Sequence, residues 1–135
     1  MSGCQLHSVA TLAQIPDQAA AQALFASLAD EAAETLAFAY IGSGRTLLGL
    51  RHARSLCVDR MAVPIRDVAA DALAFDASGV IMAHNHPSGD PTPSLADREA
   101  TRLLARALDT LQVRLLDHLI VASRGVTSFR TLGLL

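Results

Sequence analysis

Two histidines one residue apart, His84 and His86, close an apolar run, GVIMAH, and a carboxylate, Asp97, follows eleven residues after the second. On extended backbone an i, i+2 pair sends both imidazoles to the same side. The intervening loop, NHPSGDPTP, is rich in turn residues and can fold the carboxylate back toward them. Two nitrogens and one oxygen suit Zn²⁺, and three protein ligands leave a fourth tetrahedral position for water, as in a catalytic rather than a closed structural site. Each part also has a plainer reading. HxH alone describes two solvated histidines in a polar loop, and Ser94-x-x-Asp97 is a capping-box-like pattern whose side chains bond free backbone N–H groups. The whole string, HxH, seven residues, Ser, two residues, Asp, joins loop length, turn chemistry and ligand type in one metal site. Asn85, Ser88 and Asp90 on the same loop fit either substrate contact or, more simply, turn stabilisation.

The elements that must carry these residues follow from periodicity. Ala20, Leu24, Leu28 and Ala32 recur at helical spacing from Asp17 to about Ala32, with Pro16 suited to the first turn. Glu34 to Ile41 (ETLAFAYI) predicts a strand, Gly42-Ser43-Gly44 a turn, and Arg45 to Leu50 the second strand of a hairpin. A third strand is expected over Leu56 to Val63, a helix from Pro64 to about Phe75, and a buried strand over Gly79 to His84. A long helix from Ser94 to about Gln112, a strand over Arg114 to Ala122 and a short last strand over Val126 to Phe129 complete the chain. Strands and helices alternate without a regular βαβ repeat. The fold class is therefore α/β, one mixed, largely antiparallel sheet flanked by helices, with residues 1–16 as a lead and 17–135 as the domain.

Composition bounds the rest. A chain of 135 residues that is 51% hydrophobic and 18% charged can bury one core without disulfide staples. Its net charge of −2 at pH 7 gives no cationic field toward nucleic acid or anionic membrane. All eleven cations are arginine and alanine abounds, a bias of the kind genome base composition produces. Cys4 and Cys57 lack CxxC spacing, the first residues carry no secretory pattern, and no segment nears the ~20 apolar residues that span a bilayer, so a cytoplasmic protein is expected. Exposed strand edges are compatible with a homodimer.

His84-x-His86-x7-Ser94-x2-Asp97 resembles the JAMM motif of the JAB/MPN+ metallopeptidases. The wider string AHNHPSGDPTPSLAD, with LLDHLIV further on, resembles the bacterial RadC family from about residue 17 onward. The resemblance implies zinc held by His84, His86 and Asp97, and a glutamate from an earlier strand. Of Glu31, Glu34 and Glu99, Glu34 fits best, at the start of ETLAFAYI and fifty residues before His84; its plainer reading is a solvated residue at a strand edge. By the same resemblance Glu34 is general base and then acid, Ser94 donates to the tetrahedral oxyanion, and the reaction is hydrolysis of a peptide or isopeptide bond. Asp117-His118 matches the family's LLDH segment. It stays outside the core site, as a hydrogen-bonded structural pair or a support for the ligands. His7 and His52 have no ligand partners nearby in sequence.

Two features depart from the family. The helix-hairpin-helix region usual in RadC proteins is not expected in the first sixteen residues, so those residues are not expected to supply the family's usual DNA contact. Of the family's His-Pro-Arg stretch, Pro64-Ile65-Arg66 keeps only the arginine. The alternative to a hydrolase is a non-catalytic nucleic-acid-associated or scaffolding module, for which Arg98, Arg102 and Arg106 form a basic helical stripe, although such stripes are commonly solvated faces. A zinc nucleobase deaminase needs H-x-E with P-C-x-x-C, and a zincin needs HExxH; none of these strings occurs.

Overall fold

The computed structural model describes residues 13–54 and 62–135. Asp17 opens helix α1 (Gln18–Phe25) by accepting the Ala20 N–H at 2.9 Å, which puts Pro16 just outside the cap rather than in the first turn. The helix expected through Ala32 stops at Phe25 and tightens into a 3₁₀ turn, Ala26–Asp30. At three residues per turn Phe25 and Leu28 share one face, and both are buried.

Strand β1 (Thr35–Ile41) is buried along its length except at Thr35, because it is covered on both faces. Its alternation sorts the layers. Leu36, Phe38 and Tyr40 pack with one set of helices, whereas Ala37, Ala39 and Ile41 pack with α1. Strand β2 is Leu47–Arg54, not Arg45 to Leu50. Gly44 (φ 68°) and Arg45 (φ 62°) are both left-handed, so Arg45 belongs to the turn, and the ladder with β1 then runs on to Thr35 opposite Arg54. Of the strand expected over Leu56 to Val63, positions 56–61 lie outside the described residues, and Val63 is not in a strand.

Helix α2 (Ile65–Ala74), strand β3 (Gly79–Asn85), helix α3 (Leu95–Asp109), strand β4 (Arg114–Ala122) and strand β5 (Gly125–Ser128) follow. The sheet order is β2-β1-β3-β4-β5, antiparallel throughout except for the β3/β4 pair, which α3 joins as a crossover. Helices α2 and α3 cover one face through Val68, Ala72, Leu104 and Leu108, and α1 covers the other through Ala21 and Phe25. The result is an α/β domain with a mixed, mostly antiparallel sheet between helices. No helix among the described residues is long and apolar enough to cross a membrane.

One irregularity sets the faces of β4. Val80 pairs with Leu115, but Ile81 pairs with Asp117, so Leu116 is an extra residue in the ladder. Leu115 and His118, three apart, therefore lie on the α3 side, and Asp117 points away from it. Gly79 accommodates the bulge, since a Cβ there would lie 2.7 Å from Leu116 Cδ1.

Candidate metal centre

His84 and His86 leave the C-terminal end of β3 on its α3 side, and Asp97 meets them from the third position of α3. His84 is fully buried, Asp97 nearly so, and His86 is partly exposed. The Asp97 carboxylate spans the two rings, with His84 Nε2 3.3 Å from Oδ1 and His86 Nε2 3.1 Å from Oδ2. Glu34, immediately ahead of β1, approaches from the neighbouring strand. One ligand atom each from Glu34, His84 and His86 lies within 4.8 Å of the others.

The aspartate is fixed by the helix start. Ser94 Oγ accepts the Asp97 N–H at 3.0 Å, and Asp97 Oδ2 accepts the Ser94 N–H at 2.9 Å, a complete capping box. The plainer reading of these two residues, a helix cap, thus holds. Ser94 stays exposed, and since its hydroxyl accepts in the cap, its hydrogen is free to donate elsewhere.

Each imidazole is oriented through its other nitrogen. His86 Nδ1 lies 2.7 Å from the Asp90 carbonyl, which can only accept, so Nδ1 carries the hydrogen and Nε2 faces Asp97. His84 Nδ1 lies 2.8 Å from His118 Nε2 on β4, and His118 Nδ1 lies 2.6 Å from Thr101 Oγ1 on α3. The Asp97 hydrogen bond to His86 raises the His86 pKa above its ordinary 6.5, against the opposing effect of burial. Burial pushes the Asp97 carboxyl up, but the adjoining His84 and His86 rings outweigh it and hold the group well below the usual carboxylate range.

The donor set fits a metal ion. His84 Nε2 is buried and, although 3.3 Å from Asp97 Oδ1, has no hydrogen-bond partner among the described residues. Leaving such an atom unsatisfied costs about 1–3 kcal/mol, and coordination removes that cost. Two imidazole nitrogens with nearby carboxylates are metal ligands by type.

Backbone ties hold the loop between His86 and Ser94 against the β4–β5 hairpin. His86 N–H donates to the Val121 carbonyl (3.2 Å), Arg124 N–H to the Gly89 carbonyl (3.2 Å), and Thr127 Oγ1 to the Pro91 carbonyl (2.7 Å). Gly89 is left-handed (φ 90°), and a Cβ there would lie 2.7 Å from Ser123 Oγ. Asn85 turns to the opposite face from the histidines. Its Oδ1 accepts the Thr35 N–H (2.6 Å), and its Nδ2 donates to the Glu31 and Ala33 carbonyls (3.1 Å each), gripping the segment that carries Glu34.

The remaining sequence candidates stand apart. Asp117 accepts from the backbone N–H groups of His118 and Arg130 and from Ser128 Oγ, all within the β4–β5 region. Ser88 and Asp90 shape the loop, Asp90 N–H donating to Ser88 Oγ and Asp90 Oδ1 accepting from Thr92. His52 is exposed on β2, and His7 lies outside the described residues. Pro64 caps α2 and Arg66 is exposed on it. Arg98, Arg102 and Arg106 all face solvent on α3, which also exposes Glu99 and Asp109. Sequence reasoning missed Thr101 altogether, although it lies one helical turn beyond Asp97 on the same face.

Residues 15–134 match the family model of the RadC-like JAB domain. A UPF0758 protein of Cupriavidus pinatubonensis is 55% identical over 76 residues, 56% of this chain and 33% of that protein. Similar proteins of the same group occur in Bordetella petrii, 42% identical over 109 residues (81% of this chain, 48% of that one), and in Coxiella burnetii, 37% identical over 118 residues (87% and 53%). The chain thus spans about half or less of the length of these curated relatives.

Proposed function

Because the chain belongs to the RadC-like JAB domain family, we propose that it is a zinc-dependent hydrolase that cleaves an amide bond, main-chain or isopeptide, in a peptide or protein substrate. The observation that carries this reading is the buried Nε2 of His84, without a hydrogen-bond partner among the described residues, with Asp97, His86 and Glu34 gathered around it. His84, His86 and Asp97 would hold the ion. When bound, zinc supplies Lewis acidity toward water and toward a scissile carbonyl.

The protein's own residues supply the proton transfers. Glu34 is partly exposed at the mouth of the cluster, on a segment gripped by Asn85, and so takes a proton from water at its carboxylate and returns it to the leaving amine. Ser94 donates its free hydroxyl hydrogen to the oxygen that gains charge in the tetrahedral transition state, a contact typically worth about 3 kcal/mol of barrier. His86 Nδ1 donates to the Asp90 carbonyl, which orients the ring at the opening.

Metal analysis and peptide digestion test the proposal together. Purified protein is expected to hold about one zinc per chain, with zinc lost in His84→Ala and Asp97→Ala. A peptide and isopeptide library should be cut by the zinc-loaded protein, cutting should stop with a chelator, and Glu34→Gln should keep zinc while turnover falls by about 10²-fold or more. A wild-type protein with no zinc affinity overturns the reading, and unchanged turnover in Glu34→Gln removes Glu34 from its role.

A further inference from the structure

Four buried groups form a line inward from the candidate centre. His84 Nδ1 is 2.8 Å from His118 Nε2, His118 Nδ1 is 2.6 Å from Thr101 Oγ1, and Thr101 Oγ1 is 2.6 Å from the Asp97 carbonyl oxygen. Each contact must hold one hydrogen, and its direction is fixed at the far end. A carbonyl oxygen only accepts, so the Thr101 hydroxyl gives its single hydrogen to Asp97. Thr101 Oγ1 can then only accept from His118, which places a hydrogen on His118 Nδ1. Among the described residues the fully buried His118 ring, stacked on Phe129, bonds only to Thr101 and His84, with no anionic oxygen to hold a second ring hydrogen, so His118 Nε2 is bare and accepts. His84 Nδ1 must therefore be the donor, and in the neutral ring His84 Nε2 is left as a lone pair. That nitrogen has no hydrogen-bond partner among the described residues. Run the other way, the chain would put a hydrogen on His84 Nε2 and leave two oxygens 2.6 Å apart with none between them.

We infer that Thr101 and His118 are positioning residues, a one-way chain of hydrogen bonds that locks His84 in its Nδ1–H tautomer and so presents the Nε2 lone pair to a metal ion. The inference rests on the metal-centre reading above but not on amide hydrolysis. Metal-bound histidines ordinarily donate to a carboxylate, a backbone carbonyl or water. Here the acceptor is a second imidazole, which can accept only because a helix hydroxyl orients it. The same hydroxyl is anchored to the backbone of Asp97, so one chain ties a strand ligand to the helix that bears the third ligand.

Two measurements test it. In ¹⁵N-labelled, metal-free wild-type protein, NMR of the ring nitrogens should show His118 protonated at Nδ1 and bare at Nε2; a hydrogen on His118 Nε2 overturns the inference. Thr101→Val removes the acceptor at nearly constant volume, and Thr101→Ser retains it. Zinc affinity, measured by competition with a chromophoric chelator, should fall about 10–100-fold in Thr101→Val and return to near the wild-type value in Thr101→Ser. Undiminished affinity in Thr101→Val also overturns it. Should Thr101→Val fail to fold, the wild-type ring signals still decide. A protein that binds zinc with the expected tautomers but cuts no amide sinks the hydrolase reading alone, whereas a zinc-dependent hydrolase indifferent to Thr101→Val sinks this one alone.

Discussion

At Asp97 a single carboxylate serves two structures, the start of a helix and the face of two imidazoles. Its hydrogen bond with Ser94 holds it in place, and the rings beside it keep it ionised against the effect of burial. His86 feels the reciprocal effect, and its raised pKa sets a pH dependence. A proton competes with the metal for His86 Nε2, so zinc affinity should be highest above the raised value and fall as pH drops through it, beginning above 6.5 rather than at it. Calorimetry in buffers of different ionisation enthalpy, from about pH 8 to about pH 6, should show proton release on binding that grows as affinity falls; no release across that range would contradict the shift. The grouping of His84, His86 and Asp97 and the cap role of Ser94 were legible in the sequence because their spacing is local, although each part alone had a plainer reading. Glu34 needed family resemblance, since it reaches the site across a strand pair. Asn85 and Thr101 were not legible in their observed roles. What they do depends on partners fifty or more and seventeen positions away, respectively, with no periodicity to announce them.

The strands and helices were readable where burial imposes a pattern and obscure where the pattern breaks. The long apolar segments of β1, β3 and β4 and the amphipathic α3 follow from composition and period alone. The end of α1 did not, because the alanines after Phe25 favour a continued α-helix, whereas the observed 3₁₀ turn buries Phe25 and Leu28 on one face. The bulge at Leu116 is the harder case. Strict alternation along RLLDHLIVA would set Leu115 and Asp117 on one face, and only the extra residue turns His118 toward His84. Gly79 is therefore a test of the bulge at a distance from the centre. Gly79→Ala should lower stability by about 1–3 kcal/mol, the usual range for overpacking, and weaken zinc binding as β4 shifts. Urea unfolding of the metal-free protein together with chelator competition would check both; normal stability and affinity would show that Leu116 can move aside at little cost.

Across the whole molecule the candidate ligands join the sheet to one of its covering layers, since His84 and His86 end β3 and Asp97 begins α3. Zinc that binds only the folded chain must then stabilise all of it, by about 4 kcal/mol at a thousand times Kd. The thermal midpoint should rise with zinc concentration and return on chelation, and in His84→Ala it should respond to neither; a wild-type midpoint blind to zinc would mean that no such cross-link forms. Mixed-sheet architecture was legible in the sequence because its long strands and crossover helix announce themselves, whereas the layer each residue faces was not. The ties from the His86–Ser94 loop to Val121, Arg124 and Thr127 have one more consequence. The contiguous string HNHPSGDPTPS is not a portable cassette: transplanted into a foreign scaffold without the β4–β5 hairpin as its anvil, it would arrive with the right letters and the wrong shape.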